Sequence, residues 1–180
     1  MAKRKFTVPK KEEVSESNRA IFENFEKNFG FVPNLAAYFA KNETALPDYM
    51  AFQLRKSSLS LKEREAISLV VSEVNGCRYC QSAHTIVAQM NGFSEEQILE
   101  LRKGYFSLDS RIDALVKFAQ AVTEHRGRIP EGVLENFFES GYTEANMIDV
   151  FLAIGEKTVS NYIHNLTELE INFPVAPELK

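Results

Sequence analysis

Two cysteines and a histidine stand close together in this sequence, as Cys77-Arg78-Tyr79-Cys80 followed by His84. If a helix begins at Cys77, the two thiols lie one turn apart on the same face. Their Cα atoms would then be roughly 5 Å apart, within the range a disulfide needs. His84 is four residues beyond Cys80, so its imidazole can reach that sulfur directly. The first turn of a helix also presents unpaired N–H groups and the positive end of the dipole. Those influences pull a thiol pKa down from about 8.5 and generate the nucleophilic thiolate. A thiolate, a second thiol to resolve it and a titratable base form a redox-active set. The helix start favours Cys77 as the more accessible sulfur, and the histidine favours Cys80.

A carboxylate beside the imidazole could orient the ring and accept or hand on a proton. Glu65, on the helix before the Asn75-Gly76 break, and Glu73, nearer in sequence, both qualify by position. A structural bridge is a poor explanation for the cysteines, because closing a four-residue loop removes little unfolded-state entropy. Zinc would have three ligands in Cys77, Cys80 and His84, with His125 or His164 as a fourth. No second Cys-x-x-Cys or His pair supports that, so no metal and no cofactor is expected. His125 lies in a helix-end sequence, Glu124-His125-Arg126-Gly127, where a positive charge is favourable. His164 has no assigned role beyond a pocket wall or subunit contact.

The elements that must hold these residues are helices. Phe22, Phe25 and Phe29 recur at helical spacing, with Gly30 as a stop, and a short helix opens after Pro33-Asn34. Another lies around Pro47 to Arg55. Ser60-Leu61-Lys62-Glu63 and Ser94-Glu95-Glu96-Gln97 are capping boxes. The helix after the first buries Ile67, Val70 and Val71, Asn75-Gly76 breaks the chain, and the next helix runs from Cys77 to Met90. Later helices start at Asp109 or Ser110, at Pro130 as a first helical residue, and at Thr143. The last carries Ile148, Phe151, Leu152, Ile154, Val159, Tyr162 and Ile163, and the Phe-rich faces of the chain are read as core first and subunit interface second. The segment after Pro174 is read as too short to matter for the core. No alternating strand pattern is present, and the fold class is all-α.

The chain has 180 residues, 44% of them hydrophobic and 26% charged, which suits one globular domain over 1–180. Residues 1–14, with Lys3, Lys5, Lys10 and Lys11, read as a flexible solvated arm. A net charge of −4 argues against nucleic acid as partner. No apolar run reaches the ~18–20 residues of a membrane span, and the basic start lacks a signal peptide's apolar stretch. A cytoplasmic location is expected.

The stretch around the cysteines resembles the core of the AhpD-like alkylhydroperoxidases, in the carboxymuconolactone decarboxylase superfamily. Their signature is a glutamate about three turns before a Cys-x-x-Cys-x-x-x-His block, matched here by Glu65, Cys77, Cys80 and His84. The similarity is strongest over residues 55–105. Phe31-Val32-Pro33-Asn34 is similar to a phrase in the peroxidase-related subgroup. One departure is Tyr79, where the founding type carries a second histidine. The resemblance implies an AhpD-like multi-helix bundle and an antioxidant peroxidase acting on hydrogen peroxide or organic hydroperoxides. Cys80 would attack, Cys77 would resolve, and His84 with Glu65 would relay the proton. An external dithiol, a lipoyl-protein or a thioredoxin-like protein, would reduce the disulfide, and the chain would form a trimer or hexamer. The different-class alternative is a redox sensor or thiol–disulfide exchange protein using the same pair.

Overall fold

The helix starts marked in the sequence are made by side chains that close on their own backbone. A computed structural model describes residues 5–179, and among them are nine α-helices and no strand. Ser15 caps α1 (Glu16–Phe29) through a bond from Asn18 N, and Gly30 ends it at φ 80°. Then come α2 (Asn34–Phe39) and α3 (Ala45–Gln53). The latter starts two residues before Pro47, because a first turn has no use for the N–H that proline lacks. Both expected capping boxes form. Ser60 and Glu63 exchange bonds at 3.3 and 2.8 Å ahead of α4 (Leu61–Val74). Beyond α5 (Arg78–Met90), Ser94 and Gln97 do the same for α6 (Glu95–Arg102). Asp109 caps α7 (Ser110–His125), Pro130 stands just outside α8 (Glu131–Glu139), and Thr143 caps α9 (Glu144–Thr167).

Helix α4 is the central element. Ala66, Ile67, Leu69, Val70 and Val71 are fully buried, and α5, α6, α7 and α9 all pack on it. A helix surrounded in this way is apolar on more than one stripe, which fits its run of buried residues. One core joins α4 to α6, α7, α8 and α9 through residues such as Leu101, Phe118 and Phe137. A second core gathers Phe22, Leu35, Phe39 and Leu46 with Cys77, Tyr79, Cys80 and Phe173. The cysteines therefore sit in the smaller core, beside the central helix.

Three expectations change. In the described part of the N-terminal arm (Lys3 lies outside it), Phe6 packs edge-on against Tyr38 at 6.2 Å and Val14 is buried. The apolar residues spaced among the lysines provide that anchorage. The segment past Pro174 also matters: Ala176 is buried, and its carbonyl takes Arg78 Nη2 at 2.6 Å. Arg102 Nη1 binds the Pro177 carbonyl at 2.8 Å, and Ala176 N donates to Ser82 Oγ at 3.0 Å. An extended, proline-containing segment leaves its carbonyls unpaired, and guanidinium groups take them. Finally, α9 turns apolar residues both ways: Val150 and Ile154 lie in the core, but much of the expected apolar face is outside. It buries Glu156, Lys157, Ser160, Asn161 and His164 and exposes Ile148, Phe151, Val159, Tyr162 and Leu166. The inner face of that helix belongs to the polar site described next.

No helix among the described residues is long and apolar enough to cross a membrane.

Candidate functional site

Gly76, at φ 64°, turns the chain from α4 into α5, and Cys77 occupies the N-cap position rather than the first helical residue. Its Sγ accepts a hydrogen bond from Cys80 N at 3.3 Å. An N-cap side chain bends inward over the first turn, so Cys77 is fully buried (0% exposed), against 4% for Cys80. The expectation that the helix start makes Cys77 the more accessible sulfur is thus corrected. The two thiols are free and lie 2.7 Å apart, with Cys77 Sγ–H donating to Cys80 Sγ.

That donation separates their acidities. The bond to Cys80, together with burial, holds the Cys77 thiol far above its usual range. Burial also opposes ionisation of Cys80. It is outweighed by the bond from Cys77, the charge of Lys157, the neighbouring His84 and a contact with Asn161, which bring Cys80 down to about 6. One sulfur is thus poised as thiolate and the other as proton-bearing partner.

Glu65, on the central helix, reaches across to α5 and bonds His84 Nδ1 through Oε1 at 2.6 Å. Both groups are largely buried. Glu73 points elsewhere, to Arg102 Nε at 2.9 Å, because two turns on one helix carry it to a different side. Of the two carboxylates left open by sequence, Glu65 is the one at the imidazole.

His84 does not bond Cys80. Its second nitrogen, Nε2, meets Lys157 Nζ at 2.6 Å, so both ring nitrogens are taken. Lys157, 2% exposed, comes from the inner face of α9. Its ammonium lies 3.4 Å from Glu156 Oε1, and Glu156 in turn accepts from the Tyr49 phenol of α3. Burial favours a neutral lysine, but Glu156, Tyr49, Cys80 and Glu65 overcome it and hold Lys157 above its ordinary value. Glu156 is pushed up by burial, and the charge of Lys157 with the Tyr49 bond brings it below the usual carboxylate range. Burial raises the Tyr49 phenol. An ammonium has only donors, so Nε2 must accept, and the ring proton sits on Nδ1 facing Glu65. Sequence reasoning missed Lys157, Glu156 and Tyr49. The signal was present: Gly155-Glu156-Lys157 places two charges in the middle of an otherwise apolar helix.

The remaining aromatic and histidine positions are supports. Tyr79 Oη donates to Asn172 Oδ1 at 2.8 Å and accepts from Leu35 N at 3.3 Å. Its ring packs against His164 and Phe173. His164 Nε2 bonds the Leu169 carbonyl at 3.0 Å, while Nδ1 is buried without a partner, and burial holds the ring below its ordinary pKa. His125 ends α7, far along the chain from the thiols. Among the described residues no group of His, Cys, Asp and Glu is arranged to hold a metal ion. A cavity of about 190 Å³ opens over the relay, with Phe52, Leu61, Val87 and Leu152 among its walls and Glu65, His84 and Glu156 among its polar lining, beside Arg55 and Arg64.

The family model for the carboxymuconolactone decarboxylase family matches residues 42–121, a span that holds Glu65, both cysteines and His84. Over that span the chain is similar to the carboxymuconolactone decarboxylase family. A peroxidase-related protein from Silicibacter sp. TM1040 is 27% identical, with a TM-score of 0.80 over 88% of this chain and 86% of that one. A peroxidase-related AhpD-core protein from Ralstonia eutropha JMP134 has a TM-score of 0.84 at 22% identity, over 93% and 92% of the two chains. The debrominase Bmp8, solved with 2,3,4-tribromopyrrole, shares the fold at 17% identity and a TM-score of 0.77, over 92% and 90%. No curated protein matches the sequence. The helical frame is AhpD-like, with Glu65 on α4, Cys77 at the N-cap of α5, and Cys80 and His84 on α5.

Proposed function

We propose that this chain is a cysteine-based peroxidase that reduces hydrogen peroxide or organic hydroperoxides through a dithiol/disulfide cycle. The observation that carries the reading is the asymmetric thiol pair: Cys77 Sγ–H donates to Cys80 Sγ at 2.7 Å in a site that lowers only the Cys80 thiol. Cys80 thiolate attacks the terminal peroxide oxygen. The O–O bond breaks, sulfur is oxidised to sulfenic acid, and the departing alkoxide or hydroxide takes up a proton. Cys77 then attacks the sulfenic sulfur, forming the disulfide and releasing water. Glu65 and His84, which line the cavity, carry protons between the site and solvent. An external dithiol, lipoyl or thioredoxin-like, returns the pair to the reduced state by exchange, in a reducing cytoplasm. The exposed apolar face of α9 supports assembly with further copies of the chain.

The test is stopped-flow oxidation of the reduced protein by hydrogen peroxide and by cumene hydroperoxide, beside Cys80→Ser and Cys77→Ser. The reading expects a fast wild type ending in an intramolecular disulfide, no fast phase in Cys80→Ser, and a trapped sulfenic acid in Cys77→Ser. A wild type no faster than a free thiol in solution would sink it and leave the sensor or exchange role.

A further inference from the structure

The contact between Lys157 Nζ and His84 Nε2 at 2.6 Å has room for one proton between the two nitrogens. Either an ammonium faces a neutral imidazole, or an amine faces an imidazolium. Each side has its own carboxylate: Glu156 at 3.4 Å from the lysine and Glu65 at 2.6 Å from the ring. The surroundings of the lysine decide for the ammonium: Glu156, Tyr49, Cys80 and Glu65 together outweigh burial and hold Lys157 above its ordinary value, and an ammonium can only donate. The imidazole lone pair that would accept a proton from Cys80 is therefore already used.

We propose that Lys157 is a positioning residue of this site: its buried ammonium caps His84 Nε2, fixes the ring in the Nδ1–H form facing Glu65, and serves as the counter-charge of the Cys80 thiolate in place of an imidazolium. Several elements around the thiolate contribute polar groups: Cys77 lies at the N-cap, Tyr79 and His84 on α5, Glu65 on α4, Tyr49 on α3, and Glu156, Lys157 and Asn161 on α9. Of these, Lys157 is the one that stays cationic without taking a proton from the sulfur. The arrangement accounts for the polar inner face of α9. It also reassigns His84 from base of Cys80 to the link between Lys157 and Glu65. The catalytic meaning of this assignment rests on the peroxidase reading, but its test does not.

That test is a pH titration of reduced protein by the ultraviolet absorbance of the thiolate, in a Cys77→Ser background so that Cys80 alone reports. Rates at one pH are a poor substitute. Raising a thiol pKa from about 6 to about 8.5 cuts the thiolate fraction at pH 7 by ~30-fold. The more basic thiolate is ~10-fold more reactive (Brønsted slope 0.4–0.5), so the two nearly cancel. Lys157→Met, apolar and of similar length, should move the inflection up to the ordinary thiol range or above. Lys157→Arg should bring it back down, which a lysine needed only for packing would not explain. His84→Gln, whose amide can still accept from Lys157, should leave the inflection near that of the background. If His84→Gln raises the inflection as far as Lys157→Met does, or if Lys157→Met leaves it unmoved, the assignment is overturned. Should Lys157→Met fail to fold by circular dichroism, Lys157→Gln, neutral but polar, takes its place in the same titration with the same two outcomes. No peroxide enters the titration, so an inactive wild type would remove the peroxidase reading and leave this result standing.

Discussion

Between about pH 6 and pH 8.5 the reduced protein should become more stable as pH rises, with Cys80 as the main cause. In the folded chain Cys80 ionises near 6; in the unfolded chain it does so near 8.5. Across that window the unfolded state holds a proton that the folded state has released, so stability climbs by about 1.4 kcal/mol per pH unit. The full interval corresponds to about 3 kcal/mol. The contribution is complete above the unfolded value and is lost as pH falls through the folded one. Cys77 acts in the opposite sense: held protonated in the folded state, it makes stability fall once unfolded thiols ionise above about 8.5. His164, lowered by burial, adds stability above its unfolded value of about 6.5 and loses it as pH drops. Urea unfolding of reduced wild type and Cys80→Ser across this window separates the terms, since the serine variant keeps Cys77 and His164. The difference between the two proteins should grow with pH to about 3 kcal/mol. Parallel curves, or a wild type that loses stability between pH 6 and 8.5, would refute the inferred thiolate.

Two further outcomes follow from support residues. Asn172 accepts from Tyr79 Oη and Asn34 N and donates to Val32 O. Asn172→Ala should cost about 2–3 kcal/mol in urea unfolding, since it strands several partly buried groups, and a loss under about 0.5 kcal/mol would show that water replaces the amide. The double variant Val159→Glu, Tyr162→Glu should lower the solution mass measured by light scattering, whereas a monomeric wild type would remove the case for assembly through α9.

The helices were legible because their punctuation is chemical. Ser60 with Glu63, Ser94 with Gln97, Asp109, and Thr143 each carry their own start signal within three residues. The nearness of Cys77 and Cys80 was legible for the same reason, being local, whereas the expected reach of His84 to Cys80 is replaced by its bonds to Glu65 and Lys157. The pairing of Glu65 with His84 spans 19 residues, and spacing alone could not choose Glu65 over Glu73. Lys157 lies 73 residues from His84 and fell on a helix several of whose apolar residues, read as its inner face, point outward. Periodicity reports which residues share a face, and it identifies the buried face only when that face is apolar. Here the polar stripe is inside. The extended segment beyond Pro174 escaped notice because its contribution is carbonyl groups, which every residue possesses and no sequence pattern marks.

The cysteine core is completed by residues from opposite parts of the chain: Asn34 and Asn172, 138 positions apart, meet beside Tyr79. During synthesis the earlier helices emerge first and fold as they become available. Until residues 157–177 have been made, the two thiols lack the ammonium of Lys157, the packing of Leu169 and Phe173, and the strap held by Arg78 and Arg102. A nascent chain therefore carries Cys77 and Cys80 without the α9 groups that lower the Cys80 thiol. On the proposed reading the thiolate forms only when α9 docks, so reactivity would report that the fold is finished.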